Sequence, residues 1–243
     1  MSSTSETGHA KNVSNFQDLI SFATGYGATY SPSKTALKLP ALNALATTAQ
    51  TNLADVISKN TAYNNVVNER IIAFNPLKTL STRLVSALEA TDATSQKLQD
   101  AKGFNRKIQG KKASTTQTVA DPNAPAPATI SASQQSYDQL IQHFAGLISV
   151  LQSETSYAPN ESDLKVTALT TKQTELTTKN NAVATSYTSI SNSRIARDKT
   201  LYNTDTGLVD IAAEVKKYIK SIFGASSPEF AQVKGIEFRK IKR

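Results

Sequence analysis

The chain predicts an all-α fold: an internally duplicated, elongated antiparallel helical bundle with long coiled-coil-like helices, arranged about a pseudo-twofold. Three observations lead there. Apolar residues recur at spacings of three and four along two stretches, each about forty residues long. Of 243 residues only 39% are apolar even counting Ala, with no Trp. That suits narrow helical stripes better than the thick core of a sandwich or an α/β sheet. Finally, Tyr30-x-Pro32, Leu37-Lys38 and Ala41-Leu42 recur as Tyr157-x-Pro159, Leu164-Lys165 and Ala168-Leu169 at a constant offset of 127 residues (157 − 30).

The duplication divides the chain into four parts. Residues 1–13 are polar and predict a mobile terminus. Residues 14–112 form the first helical repeat with a basic end, residues 113–133 a linker rich in Pro, Ala, Ser and Thr, and residues 134–243 the second repeat with a basic tail. In the first repeat, Asn15 to Phe22 predicts a short helix ended by Gly25 and Gly27. Its counterpart runs from Ser136 to about Gln152.

A long helix follows in each repeat. The first carries Leu42, Leu45, Ala49, Leu53, Val56, Asn60, Tyr63, Val67, Arg70 and Phe74 on one face. Adding 127 places Leu169, Lys172, Leu176, Asn180, Val183, Tyr187, Ile190, Arg194, Arg197 and Leu201 on the same face of the second. The second helix is rich in Thr, a weak helix former, so packing must hold it. Asn75-Pro76 predicts a restart with Asn75 as N-cap and Pro76 as first helical residue. The next helix reads Leu77, Leu80, Leu84, Val85, Leu88, answered by Leu208, Ile211, Ala212, Val215, Ile219 and Ile222 before Gly224, a predicted capping glycine. Ser95 to Gly103 then matches Ser227 to Gly235 at 132, five residues having been inserted in the second copy.

The net charge of +8 is local. Lys102, Arg106, Lys107, Lys111 and Lys112 give +5 without an acid, and Lys234, Arg239, Lys240, Lys242 and Arg243 against Glu237 give +4. The rest of the chain carries −1. Phe104, Ile108, Phe238 and Ile241 are interleaved with these cations. The ten basic residues are therefore candidate contacts for nucleic acid or an anionic membrane surface, held through phosphates without base specificity. A solvated charge run, or a two-stranded ribbon made by the two ends, explains the same pattern.

Catalytic chemistry finds little to build on. There is no Cys, and the two histidines are His9 in the polar terminus and His143 in a helix. No phosphate-binding glycine loop occurs. The expectation is a non-enzyme with no cofactor, no metal and no evident small-molecule substrate. Arg70 and Arg197 are equivalent and sit on the apolar stripe, so each must reach water, meet a carboxylate or carbonyl, or hold an anion in the seam. Tyr30, Pro32 and Leu37, with Tyr157, Pro159 and Leu164, read as architectural: Pro sets the entry to the long helix and Tyr covers the bundle end. The helix from Gly207 to Phe223 resembles a membrane-surface peptide, but its apolar face repeats that of the first copy, which favours core packing.

The phrases Gly103-Phe-Asn-Arg-Lys-Ile-Gln-Gly-Lys-Lys112, Gly207-Leu-Val-Asp210 and Gly224-Ala-Ser-Ser-Pro228 resemble stretches of uncharacterised all-helical proteins of the Bacteroidota. That resemblance implies a cytoplasmic bacterial protein and brings no activity. The first ten residues lack a secretory pattern, and no apolar run spans a bilayer, which also predicts a cytoplasmic location. The expected role is a structural or interaction protein presenting a long helical surface, with self-association or a protein partner. Binding of nucleic acid or an anionic membrane through the basic ends is the alternative, and a helical lytic toxin a third.

Overall fold

A computed structural model describes residues 7–111 and 135–240. All regular structure among them is helical: α1 (Thr7–Gly25), α2 (Leu39–Phe74), α3 (Leu77–Glu89), α4 (Ser95–Gln109), α5 (Tyr137–Gln152), α6 (Val166–Tyr202), α7 (Leu208–Phe223) and α8 (Pro228–Lys234). Short 3₁₀ turns precede both long helices, at Thr35–Leu37 and Ser162–Leu164. The fold is all-α, as expected. No helix among the described residues is long and apolar enough to cross a membrane. The expected linker, 113–133, lies outside the described residues, as do Lys112, Ile241, Lys242 and Arg243.

The long helices behave as their stripes predict, with two exceptions. Leu42, Ala49, Val56 and Phe74 are buried on α2, and Leu169, Leu176, Val183, Ile190 and Leu201 on α6, while Asn60 and Tyr187 are exposed. The threonines of α6 bond backward: Thr170, Thr171, Thr174, Thr177 and Thr178 each donate Oγ1 to the carbonyl four residues earlier, which satisfies the hydroxyls without adding helix stability, so packing holds the helix.

Three expectations are corrected. The first helix begins at Thr7, and His9, Asn12 and Val13 are buried, so residues 7–13 belong to the packed body. Polar residues stand on the buried stripe of α1, which disguised its periodicity. Asn75 is not an N-cap: its amide still bonds to the Ile71 carbonyl at 3.0 Å, and Pro76 precedes the first residue of α3 without a side-chain cap. Between α6 and α7 the connection spans residues 203–207 against 75–76 between α2 and α3. Buried Leu77, Leu84 and Leu88 consequently match Leu208, Val215 and Ile219 at an offset of 131 (208 − 77), so most of the inserted residues fall before α7 rather than after it.

The chain forms two compact units, and neither is a repeat. The first unit comprises Met1–Asn64 with Thr185–Arg243, the second Asn65–Ala184. Each therefore combines the opening of one repeat with the close of the other. In the first unit α1, α7 and α8 pack together with the start of α2 and the end of α6. Phe16, Leu19, Leu42, Leu208, Ala212, Val215 and Val233 form its core. In the second, α5, α3 and α4 pack with the end of α2 and the start of α6 around Phe144, Leu147, Leu84, Leu88, Ala101, Ile108 and Leu176. Within each unit α2 and α6 are antiparallel: Asn52 meets Thr200 and Tyr63 meets Tyr187 in one, Arg70 meets Asn180 in the other.

Candidate functional site

The repeated Tyr-x-Pro element closes the same turn in both units. Tyr30 donates its hydroxyl to the Leu37 carbonyl at 2.8 Å, and Tyr157 to the Leu164 carbonyl at 2.9 Å. Burial removes both hydroxyls from water and pushes their pKa up to about 12. Pro32, Leu37 and Leu164 are buried and Pro159 is half-buried, so the element locks the chain ahead of each long helix.

The two seam arginines are paired. Arg197 is fully buried and donates Nε and Nη2 to Asp198 Oδ1 at 2.9 and 2.7 Å. Arg70 is half-buried, donates Nη1 to Asn180 Oδ1 at 3.1 Å and lies 4.0 Å above the Tyr137 ring. Its Nε has no hydrogen-bond partner, and neither does that of Arg194. A carboxylate, an amide and an aromatic face thus take the places an anion would need.

The candidate basic contacts fall in different units and differ in what they do. Lys102 is engaged by Glu89 at 2.7 Å, and Lys240 by Asp210 at 2.6 Å. Arg106, Lys107 and Lys111 are exposed on and just beyond the last turns of α4, and Lys234 and Arg239 are exposed in the first unit. Their apolar neighbours face inward. Ile108 is buried, Phe104 packs on the second core, and Ile236 and Phe238 pack on the first. None of these rings stands free for stacking on a base.

The described residues of both basic stretches are packed. The first is α4, ended at Gly110 in the left-handed region (φ 74°), where Gly110 N–H bonds to the Lys107 carbonyl and Lys111 N–H to that of Arg106. The second runs extended along α1 and pairs with side chains rather than with a strand. Asn12 accepts from Arg239 N–H at 2.9 Å and donates to the Arg239 carbonyl at 2.8 Å, while Asn15 donates to the Glu237 carbonyl at 2.6 Å. Lys216 donates to the Lys234 and Ile236 carbonyls, and burial lowers its pKa. No strand occurs among the described residues, so the ribbon alternative is replaced by this asparagine clamp.

The two histidines belong to different units. His9 Nδ1 lies 2.7 Å from the Tyr202 hydroxyl, which also accepts from Asn12 at 3.2 Å. In the second unit His143 is buried with Nε2 unpartnered, and burial, then the nearby Lys107, lowers its pKa. Among the described residues no group of three or more His, Cys, Asp or Glu could hold a metal ion. The second unit has a shallow cleft of about 340 Å³ lined by Pro76, Leu80, Leu169 and Lys172, with Arg83 and Asp163. Its charges are spoken for: Arg83 Nη1 lies 2.6 Å from Asp163 Oδ2, and Lys172 is 3.0 Å from Glu175.

Sequence reasoning missed Asn12, Asn15 and His9. Their spacing with Phe16, Leu19 and Ala23 carries the helical period, once polar residues are admitted to the stripe. No protein family model, curated protein or solved structure matches the chain.

Proposed function

We propose that the protein is a non-enzymatic structural or interaction protein, acting in the bacterial cytoplasm, that presents long helical surfaces and associates with itself or a protein partner. The observation that carries this reading is apolar exposure on the two long helices. Ile57, Ile71 and Ile72 on α2 and Tyr187 and Ile195 on α6 are each at least half exposed, Ile72 reaching 72%. Burying the exposed part of such side chains against a partner helix is favourable by roughly 1–2 kcal/mol each. The commitment of the arginines and histidines to local packing supports the same reading. Light scattering over a concentration series is the test. A mass that rises reversibly with concentration, and falls back when Ile57 and Ile72 are both replaced by Lys, is expected. A monomer mass at every concentration removes self-association.

Exposed Arg106, Lys107 and Lys111 support a second reading, non-specific binding of DNA or anionic vesicles. It requires binding that weakens steeply with salt and disappears when these three residues are replaced by Gln.

A further inference from the structure

One ion pair occurs twice with its signs reversed. In the first unit, Lys34 Nζ, ahead of α2, lies 2.5 Å from Glu214 Oε2 on α7. In the second, Asp163 Oδ2, ahead of α6, lies 2.6 Å from Arg83 Nη1 on α3. The positions correspond. The offset of 131 that aligns buried Leu77, Leu84 and Leu88 with Leu208, Val215 and Ile219 also aligns Arg83 with Glu214. The offset of 127 that aligns the two Tyr hydrogen bonds aligns Lys34 with Glu161, two residues before Asp163. The Asp163 hydrogen bond and charge, and to a smaller extent the charge of Glu161, raise the Arg83 pKa, so both acids of the second loop act on that guanidinium.

Both pairs join one repeat to the other. Buried Leu77, Leu84 and Leu88 and their counterparts Leu208, Val215 and Ile219 occupy matching places in the two cores and do not tell the repeats apart, whereas Gly146 against the Phe104 ring, with Leu19 at the equivalent place in α1, does. We propose that the reversed ion pairs add a charge code to this steric one and help specify which repeat each repeat packs with. The matching partner is the other repeat, and a second copy of the same repeat is rejected. Two first repeats packed together would set Lys34 against Arg83. Two second repeats would set Glu161 and Asp163 against Glu214. A closed dimer of two chains paired like with like holds four such repulsive contacts. Lys179 on α6 and Glu69 on α2, 2.8 Å apart, add a cross-repeat pair that like-with-like packing also loses. Glu69 would then face the position of Asn52, and Lys179 that of Ala196. Each pair is half-exposed and individually weak, so selectivity comes from their number and from the change of sign.

The test keeps every native pairing attractive while erasing the discrimination. K34E/E214R leaves acid facing base in both units, and now does so in like-with-like packing as well. R83E/E161K/D163K does the same with the opposite polarity, so a folding defect in one variant leaves the other to decide. Combining the two sets inverts all the signs and restores the rejection. Each protein is refolded from denaturant, diluted until reversible association through the helical faces has dissociated, and sized by light scattering. Dimers exchanged between unlike repeats are matched in all the proteins and cancel in the comparison. We expect either partial set to raise the persistent dimeric and larger fraction roughly three- to tenfold, and the combined set to return it to the native level. Partial sets with the native fraction, or a combined set with as much exchanged material as they have, would overturn the proposal. Neither result depends on whether the native protein self-associates.

Discussion

The two units use the same helices and finish them differently. In the second unit α4 runs from Ser95 to Gln109 and passes through Gly103 without a break. In the first, α8 stops at Lys234 with Gly235 as its cap, and the chain continues extended along α1. Extended backbone must find partners outside itself, whereas a helix satisfies its own amides. Asn12 provides them by presenting an amide that copies the two-bond pairing of a neighbouring strand. The equivalent residue of α5 is Gln139, and among the described residues no extended segment bonds to its side chain. The β-branched Ile236, alternating with Phe238 toward the core, favours the extended form, while Phe104 and Ile108 sit four apart on a helical face. Similar sequence patterns thus support two local structures, decided by one residue of spacing and by what the facing helix offers.

The largest expected effect tests whether the units are equally dependent on their seam arginine. Arg197→Ala removes a fully buried guanidinium and leaves Asp198 half-buried without its nearest cation. The expected loss is about 3–5 kcal/mol. Arg70→Ala removes the hydrogen bond to Asn180 Oδ1 and a cation–π contact at a half-buried position, for about 1–2 kcal/mol. Denaturant unfolding of both variants measures the gap, and equal losses would show that the burial difference has no energetic weight.

Legibility follows the same division. The helices, the stripe and the correspondence of the two long segments were readable because apolar spacing is a local, redundant signal. Arg70 and Arg197 were recognised as needing partners, but Asn180, Tyr137 and Asp198 could be assigned only once packing was known. The composition of the units was not legible: nothing in a period of three and four says whether the start of one repeat packs on its own end or on the other repeat's. Gly146 was silent for the same reason. A Cβ there would overlap the Phe104 ring, while the equivalent position in α1 is the fully buried Leu19, so the two cores fill one place from opposite helices.

An intermediate effect isolates the clamp. Asn12→Ala breaks two bonds to Arg239 and one to Tyr202, for about 1–3 kcal/mol, and should speed amide exchange at Arg239 and proteolysis beyond Lys234. Gln139→Ala in the second unit should stay within about 0.5 kcal/mol. Protection at Arg239 that survives Asn12→Ala would assign the docking to Ile236 and Phe238 instead.

The smallest effect asks whether the shared Tyr turn is worth the same in both units. Tyr30→Phe and Tyr157→Phe each leave a carbonyl at a buried turn without its donor, for about 1 kcal/mol at neutral pH. Their pH dependence is more discriminating. The folded hydroxyls hold their protons to about 12 against an ordinary 10, so between those values the unfolded chain binds fewer protons and stability falls as pH rises. Burial comes first in both. Tyr218 adds to it at Tyr30, whereas Glu161 and Asp163 add to it at Tyr157. Asp163→Asn should therefore flatten the alkaline loss of the second unit and leave that of the first unchanged. Ultraviolet titration of the folded chain, which follows phenolate formation directly, would read a downward shift at Tyr157 alone. A shift at both tyrosines would mean that the turns are coupled, and no shift would mean that burial alone sets them.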